Sequence, residues 1–155
     1  MTLTVTILII AAVVAGYTDW RTRRIPNWLT AGMAGYGIVF HASRAGWEGV
    51  LASLSGLAVG LGLLLIPYLL RGLGAGDVKF LAAVGSIVGV TGVLVVFVAA
   101  SALGAVLGIV ALSRRQKMER AETEGPASVS IPYGVALSFG TLVLTGVLAA
   151  WWGRA

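Results

Sequence analysis

The chain has 155 residues, 58% hydrophobic and 11% charged, with a mean hydropathy of +0.95 and a formal net charge of +5. Soluble domains carry roughly 25% charged residues, so this composition excludes a water-solvated globule and requires lipid around most of the apolar surface. With no cysteine and a single histidine, His41, the chain has no disulfide, no thiolate nucleophile and no Cys- or His-rich metal site, and no cofactor is expected.

The length suits one domain, 1–155. A bilayer core of about 30 Å needs roughly 20 apolar residues per helix, and six runs qualify as candidate spans. They are Thr2–Thr18, Asn27–Ala42, Val50–Leu70, Val78–Val88, Thr91–Leu112 and Ile131–Trp152. The first has no basic segment before it and reads as a signal-anchor span rather than a cleaved signal peptide. The fourth is too short to cross unless Leu73–Gly76 and Gly89–Val90 extend it, so it is expected to tilt or to start inside a cavity, where irregular backbone at membrane depth is tolerated. Pro67 is expected to kink the third span near its end, and Pro132 suits the first turn of the last helix.

The basic residues form short clusters between apolar runs, a topology signal rather than a nucleic-acid face. Alternate connections hold nine of the eleven: Arg21, Arg23 and Arg24; Arg71 and Lys79; Arg114, Arg115, Lys117 and Arg120. The opposite side holds Arg44 and Arg154. Lys/Arg-rich connections stay in the cytoplasm, so both termini are expected outside and Asp19 and Asp77 at cytoplasmic helix ends. Trp20 and Trp28 then flank the inner boundary and Trp47, Trp151 and Trp152 the outer one, as an aromatic belt. His41 falls on the outer side as an interface residue. Among the 22 glycines, the pairs Gly56/Gly60, Gly85/Gly89 and Gly104/Gly108 have the spacing that lets helices pack closely. The polar segment Ser113–Ser130 reads as a solvated connector beside lipid headgroups.

Asp19 and Asp77 carry the chemical interest. They are the acidic residues adjoining apolar spans on the cytoplasmic side, outside the Glu-rich connector, and ionisable groups at such positions are functional candidates by default. At a helix end an aspartate can also simply reach the interface, so each alone has a plain structural reading. Two carboxylates held close share a proton, because two adjacent like charges are costly. Such a dyad can activate water as a general base while its protonated partner polarises a peptide carbonyl. Gly74 and Gly76 beside Asp77 can adopt conformations closed to other residues and admit close approach of another chain. Arg21, Arg23, Arg24 and Lys79 are expected mostly to face water or lipid phosphate. Two other classes remain open on these residues: a small proton-coupled transporter, in which the acids relay protons, and a non-catalytic assembly subunit.

Three segments resemble the type IV prepilin peptidase family. Asp19-Trp-Arg-Thr-Arg-Arg-Ile-Pro26-Asn27 resembles its first-aspartate motif, Gly74-Ala-Gly76-Asp77-Val-Lys79 its second, and Ile131-Pro132-Tyr133-Gly134 a segment opening its last helix. Their order and spacing cover essentially the whole chain. The resemblance implies an all-α polytopic membrane protein with about six transmembrane helices in a GxGD aspartyl-peptidase arrangement. It implies an aspartic endopeptidase of the inner membrane that removes short basic leaders from prepilin and pseudopilin substrates on the cytoplasmic side. Asp19 and Asp77 carry over as the catalytic pair; Gly74, Gly76, Lys79, Pro26, Asn27, Pro132, Tyr133 and Gly134 carry over as motif positions. The chain lacks the cysteine zinc insert of the larger bifunctional members, and so resembles the minimal peptidase-only form of tight-adherence pilus systems, without a methyltransferase domain. Membrane lipid is an expected partner, nucleic acid is not, and a homo-oligomer is left open. Glu119, Glu122 and Glu124 are candidates to attract the basic leader.

Overall fold

The computed structural model describes residues 2–70, 72–119 and 133–152, with side chains over 3–70, 72–106 and 135–146. Four helices follow in chain order: α1 (Thr2–Thr22), α2 (Asn27–Leu69), α3 (Ala75–Glu119) and α4 (Tyr133–Trp152). No strand occurs among the described residues. In lipid, every backbone N–H and C=O must bond within its own segment, and a helix does this for an apolar run. Among the described residues three helical runs, Leu3–Thr22, Asn27–Leu69 and Ala75–Val106, are long and apolar enough to cross a membrane. The chain has the composition and helices of a membrane protein.

Both long helices fold back on themselves. In α2 the reversal is at Ala45 (φ −134°, ψ 17°) and Gly46 (φ 55°, ψ −131°). Gly49 lies against the His41 carbonyl, eight residues upstream; in a straight helix that separation would be about 12 Å. In α3 the reversal is at Gly89 (φ 74°, ψ −176°), which brings Val93 within 3.2 Å of where a Gly85 Cβ would sit. Four helices therefore contain six helical stretches, and the connections expected around 43–49 and 89–90 shrink to tight turns. Gly89 ends the short stretch rather than extending it. Pro67 lies inside α2, two residues before its end, and the only non-helical dihedrals of that helix are at Ala45 and Gly46; lacking an N–H, the proline leaves the Leu63 carbonyl without its helical donor. α1 runs on to Thr22, which places Asp19 inside its final turn.

The first stretch of α3 forms the centre, with Phe80, Leu81 and Val84 fully buried. Gly56 and Gly60 of α2 meet the Gly85 and Leu81 carbonyls, so any larger residue would separate the helices. Both members of the second pair join this contact, since Gly85 and the Gly89 Cα lie against Gly56, and Gly89 also makes the turn. Ser53 Oγ donates to the Ser86 carbonyl at 2.8 Å. His41 is not a bare interface residue: its Nε2 donates to the Ile87 carbonyl at 3.0 Å, satisfying a group freed by the break at Gly89. Gly140 of α4 packs on the Val96 carbonyl. α1 rests chiefly on α4, with Gly16 against Ser138, and barely touches α2 and α3.

Candidate active site

The last turn of α1 supplies the first carboxylate. Asp19 is 7% exposed, and its carbonyl accepts from Arg23 N at 2.8 Å to close the helix. Thr18 and Thr22 bond back to carbonyls of their own helix, so their hydroxyls do not compete for the site. Arg23 then adopts φ 52°, the left-handed geometry that terminates helices and usually falls to glycine. Ile25 is buried, and Pro26 (φ −63°, ψ 133°) caps α2 in extended form, with its carbonyl accepting from Leu29 N at 3.2 Å. The fixed proline φ and the restriction on the residue before it stiffen this connection.

The first turn of α3 supplies the second carboxylate, from Asp77, also 7% exposed. Gly74 precedes the helix and Asp77 is its third residue. Gly74 N donates to Asp77 Oδ2 at 3.2 Å, and Asp77 N donates to the Gly74 carbonyl at 3.1 Å. This reciprocal pair is a capping arrangement that satisfies two groups at the helix start, and an acid there also suits the helix dipole. Neither Gly74 nor Gly76 has a positive φ; among the described glycines only Gly46 and Gly89 do. The conformational use expected of the motif glycines is therefore absent. Their use is steric at Gly76, where a Cβ would come within 3.2 Å of Ile25 N and Cβ. The α1–α2 connection lies directly against the start of α3.

Asp19 and Asp77 line one cavity of about 340 Å³ between α1 and α3, together with Asn27, Gly74, Gly76 and Lys79. Both carboxylates are buried at this one cavity. Lys79 Nζ donates to Asn27 Oδ1 at 3.1 Å, joining the two motifs directly. Arg23 and Arg24 also line the cavity and, like Lys79, are otherwise exposed. All of these cations are exposed, in keeping with side chains that mostly face water or lipid phosphate, while Arg21 donates to the Tyr17 hydroxyl at 2.8 Å. Pro26 is half-buried next to the cavity without lining it. Of the third motif, Tyr133 and Gly134 begin α4, while Ile131 and Pro132 lie outside the described residues, as do Glu122 and Glu124; Glu119 ends α3. Among the described residues no group of three or more His, Cys, Asp or Glu could hold a metal ion.

A larger cavity of about 570 Å³ lies at the opposite end of the bundle, edged by His41 and Arg44 and mostly apolar. It holds no acid, so the candidate for acid–base chemistry is the cavity between α1 and α3. The contributions of Ile25 and Arg23 were not evident beforehand, although both sit inside the first-aspartate motif: one acts through its backbone, the other through a backbone conformation unusual for its type.

A family model described as the type IV leader peptidase family matches residues 6–109, which include both aspartates and the two motifs around them. No curated protein and no solved structure matches the chain.

Proposed function

The chain belongs to the type IV leader peptidase family, and from that membership we propose that it is an intramembrane aspartyl endopeptidase cutting basic leaders from prepilin-like substrates, with Asp19 and Asp77 as its acid–base dyad. One observation carries the proposal: two buried carboxylates from separate helices line a single cavity, with the glycines and polar residues of both motifs around them.

In the proposed reaction the dyad holds one proton. The ionised carboxylate takes a proton from a water, whose oxygen attacks the scissile carbonyl, while the protonated partner donates to the carbonyl oxygen. The tetrahedral species then collapses, the C–N bond breaks, and a proton passes to the leaving amine. Because enzyme and substrate share a membrane, much of the orientation exists before the encounter.

The two reversals at Ala45–Gly46 and Gly89 support a bundle in which all six helical stretches enter or cross the bilayer. Arg23, Arg24 and Lys79 surround the aspartate end, while Thr4, His41 and Arg44 mark the other. The cation excess at the first end supports a cytoplasmic site and external termini, in the inner membrane.

Incubating the purified full chain in detergent or lipid discs with a prepilin-like substrate tests this. Native protein is expected to release the leader, and Asp19→Asn and Asp77→Asn are each expected to abolish cleavage with the helical fold kept. Full activity in either variant would sink the dyad. Proton flux without cleavage would favour a transporter instead.

A further inference from the structure

α1 and the first stretch of α2 run side by side with little direct contact. At one end they are pinned: Thr4 Oγ1 and the Tyr36 hydroxyl bond at 2.8 Å. From Tyr36 toward the aspartate end they leave a groove of about 290 Å³, walled by Ile7, Ile10 and Ala11 of α1 and by Trp28, Leu29 and Met33 of α2. Its wall toward α2 includes Gly32, which has no atom within 4 Å of where a Cβ would stand; Gly35, three residues on, is equally open. One turn further, at Asn27, the same helix lines the cavity of Asp19 and Asp77.

Given the peptidase reading above, on which this inference rests, we propose that the groove between α1 and α2 is the docking seat for the substrate's apolar transmembrane helix. The groove is too small for a whole helix, which is about 10–12 Å across. It is the right kind of space for a row of side chains projecting from one, as when the ridges of one helix enter the grooves of another. Two open glycines on an apolar face let a second helix approach closely, and close approach is what drives association in lipid, where apolar surface alone gives no preference. The wall carries no charged side chain to hold a lipid headgroup, which separates this groove from the cavity beside Arg44. The order of residues along α2 fixes the polarity: Asn27 lines the aspartate cavity and the next residue, Trp28, lines the groove, so a helix seated along Gly32 directs its cytoplasmic end, where a leader joins, toward Asp19 and Asp77. Trp28, 71% exposed, lines the end of the groove nearest Asn27.

The absence of cysteine makes the test direct. Gly32→Cys and, as a control on the other cavity, Val95→Cys are placed singly in the full chain carrying Asp77→Asn, which keeps bound substrate uncut. Oxidation is carried out with prepilin-like substrates bearing single cysteines along the apolar segment. Disulfides are expected from Gly32→Cys to substrate positions spaced three or four apart, and not from Val95→Cys. In the otherwise native chain, Gly32→Trp is expected to raise KM about tenfold for a substrate with its helix, with kcat for a leader peptide lacking the helix unchanged. Cross-links from Val95→Cys but not Gly32→Cys, or an unchanged KM in Gly32→Trp, overturn the docking seat while leaving the peptidase intact. A native chain that cuts neither substrate overturns the peptidase reading, and the docking seat with it.

Discussion

Lys79 Nζ donates to Asn27 Oδ1 at 3.1 Å across 52 positions of sequence, tying the second turn of α3 to the first residue of α2. With Gly76 packed on Ile25, it holds the α1–α2 connection over the start of the helix that carries Asp77. The two aspartate motifs are thus in direct contact around the cavity that both acids line.

Breaking that tie should alter geometry more than stability. The bond is exposed, and such contacts contribute about 1 kcal/mol or less. Lys79→Met and Asn27→Ala are each expected to lower cleavage several-fold with little change in thermal midpoint. The double variant should be no worse than the poorer single one, because both remove the same contact. Additive losses would mean that the two residues act separately.

Asp77 has two separable roles, helix cap and proposed acid. Asn keeps an oxygen that can accept from Gly74 N, whereas Ala does not. Asp77→Asn is therefore expected to hold the native thermal stability without activity, and Asp77→Ala to lose activity and roughly 0.5–1 kcal/mol of stability as well. Equal stability in both variants would remove the cap from the account.

Glycines that look alike in sequence should respond differently. At Gly56 a Cβ would strike the Gly85 carbonyl, whereas at Gly62 nothing lies within 4 Å. Gly56→Ala is expected to destabilise by about 1–3 kcal/mol through overpacking. Gly62→Ala should be neutral or stabilising by up to roughly 1 kcal/mol from helix propensity. Thermal or chemical denaturation in detergent reads the difference.

Two backbone positions should shift stability in opposite directions. Gly89 holds φ 74° and ψ −176°, a region essentially reserved for glycine, so Gly89→Ala should cost about 1–3 kcal/mol and loosen the reversal of α3. Arg23 holds φ 52° without that freedom, so Arg23→Gly should stabilise the fold by a few tenths to about 1 kcal/mol. Its effect on cleavage reports separately on the cation lining the cavity.

A dyad that works with one shared proton loses activity when that proton is removed and when a second is added. Cleavage is expected to follow a bell-shaped pH profile, narrowing to a single limb if either carboxylate is dispensable. Measurement of kcat/KM across the range over which the native protein stays folded checks this.

Composition alone determined that the chain belongs in lipid, because no arrangement of 58% hydrophobic residues and so few charges can be solvated by water. Apolar run lengths and breaks gave six helical stretches, and two short motifs singled out Asp19 and Asp77, because an acid beside an apolar span stands out from its surroundings. Tertiary structure decided what depends on contacts between distant segments. It brought the two aspartates to one cavity through packing of α1 on α4 and of α2 on α3. It made Gly89 a hinge as well as a packing residue, and gave His41 a carbonyl to satisfy. It also showed that Gly76 is small because Ile25 passes beside it. Periodicity and hydropathy report which surface a residue buries; they carry no record of which neighbour it meets.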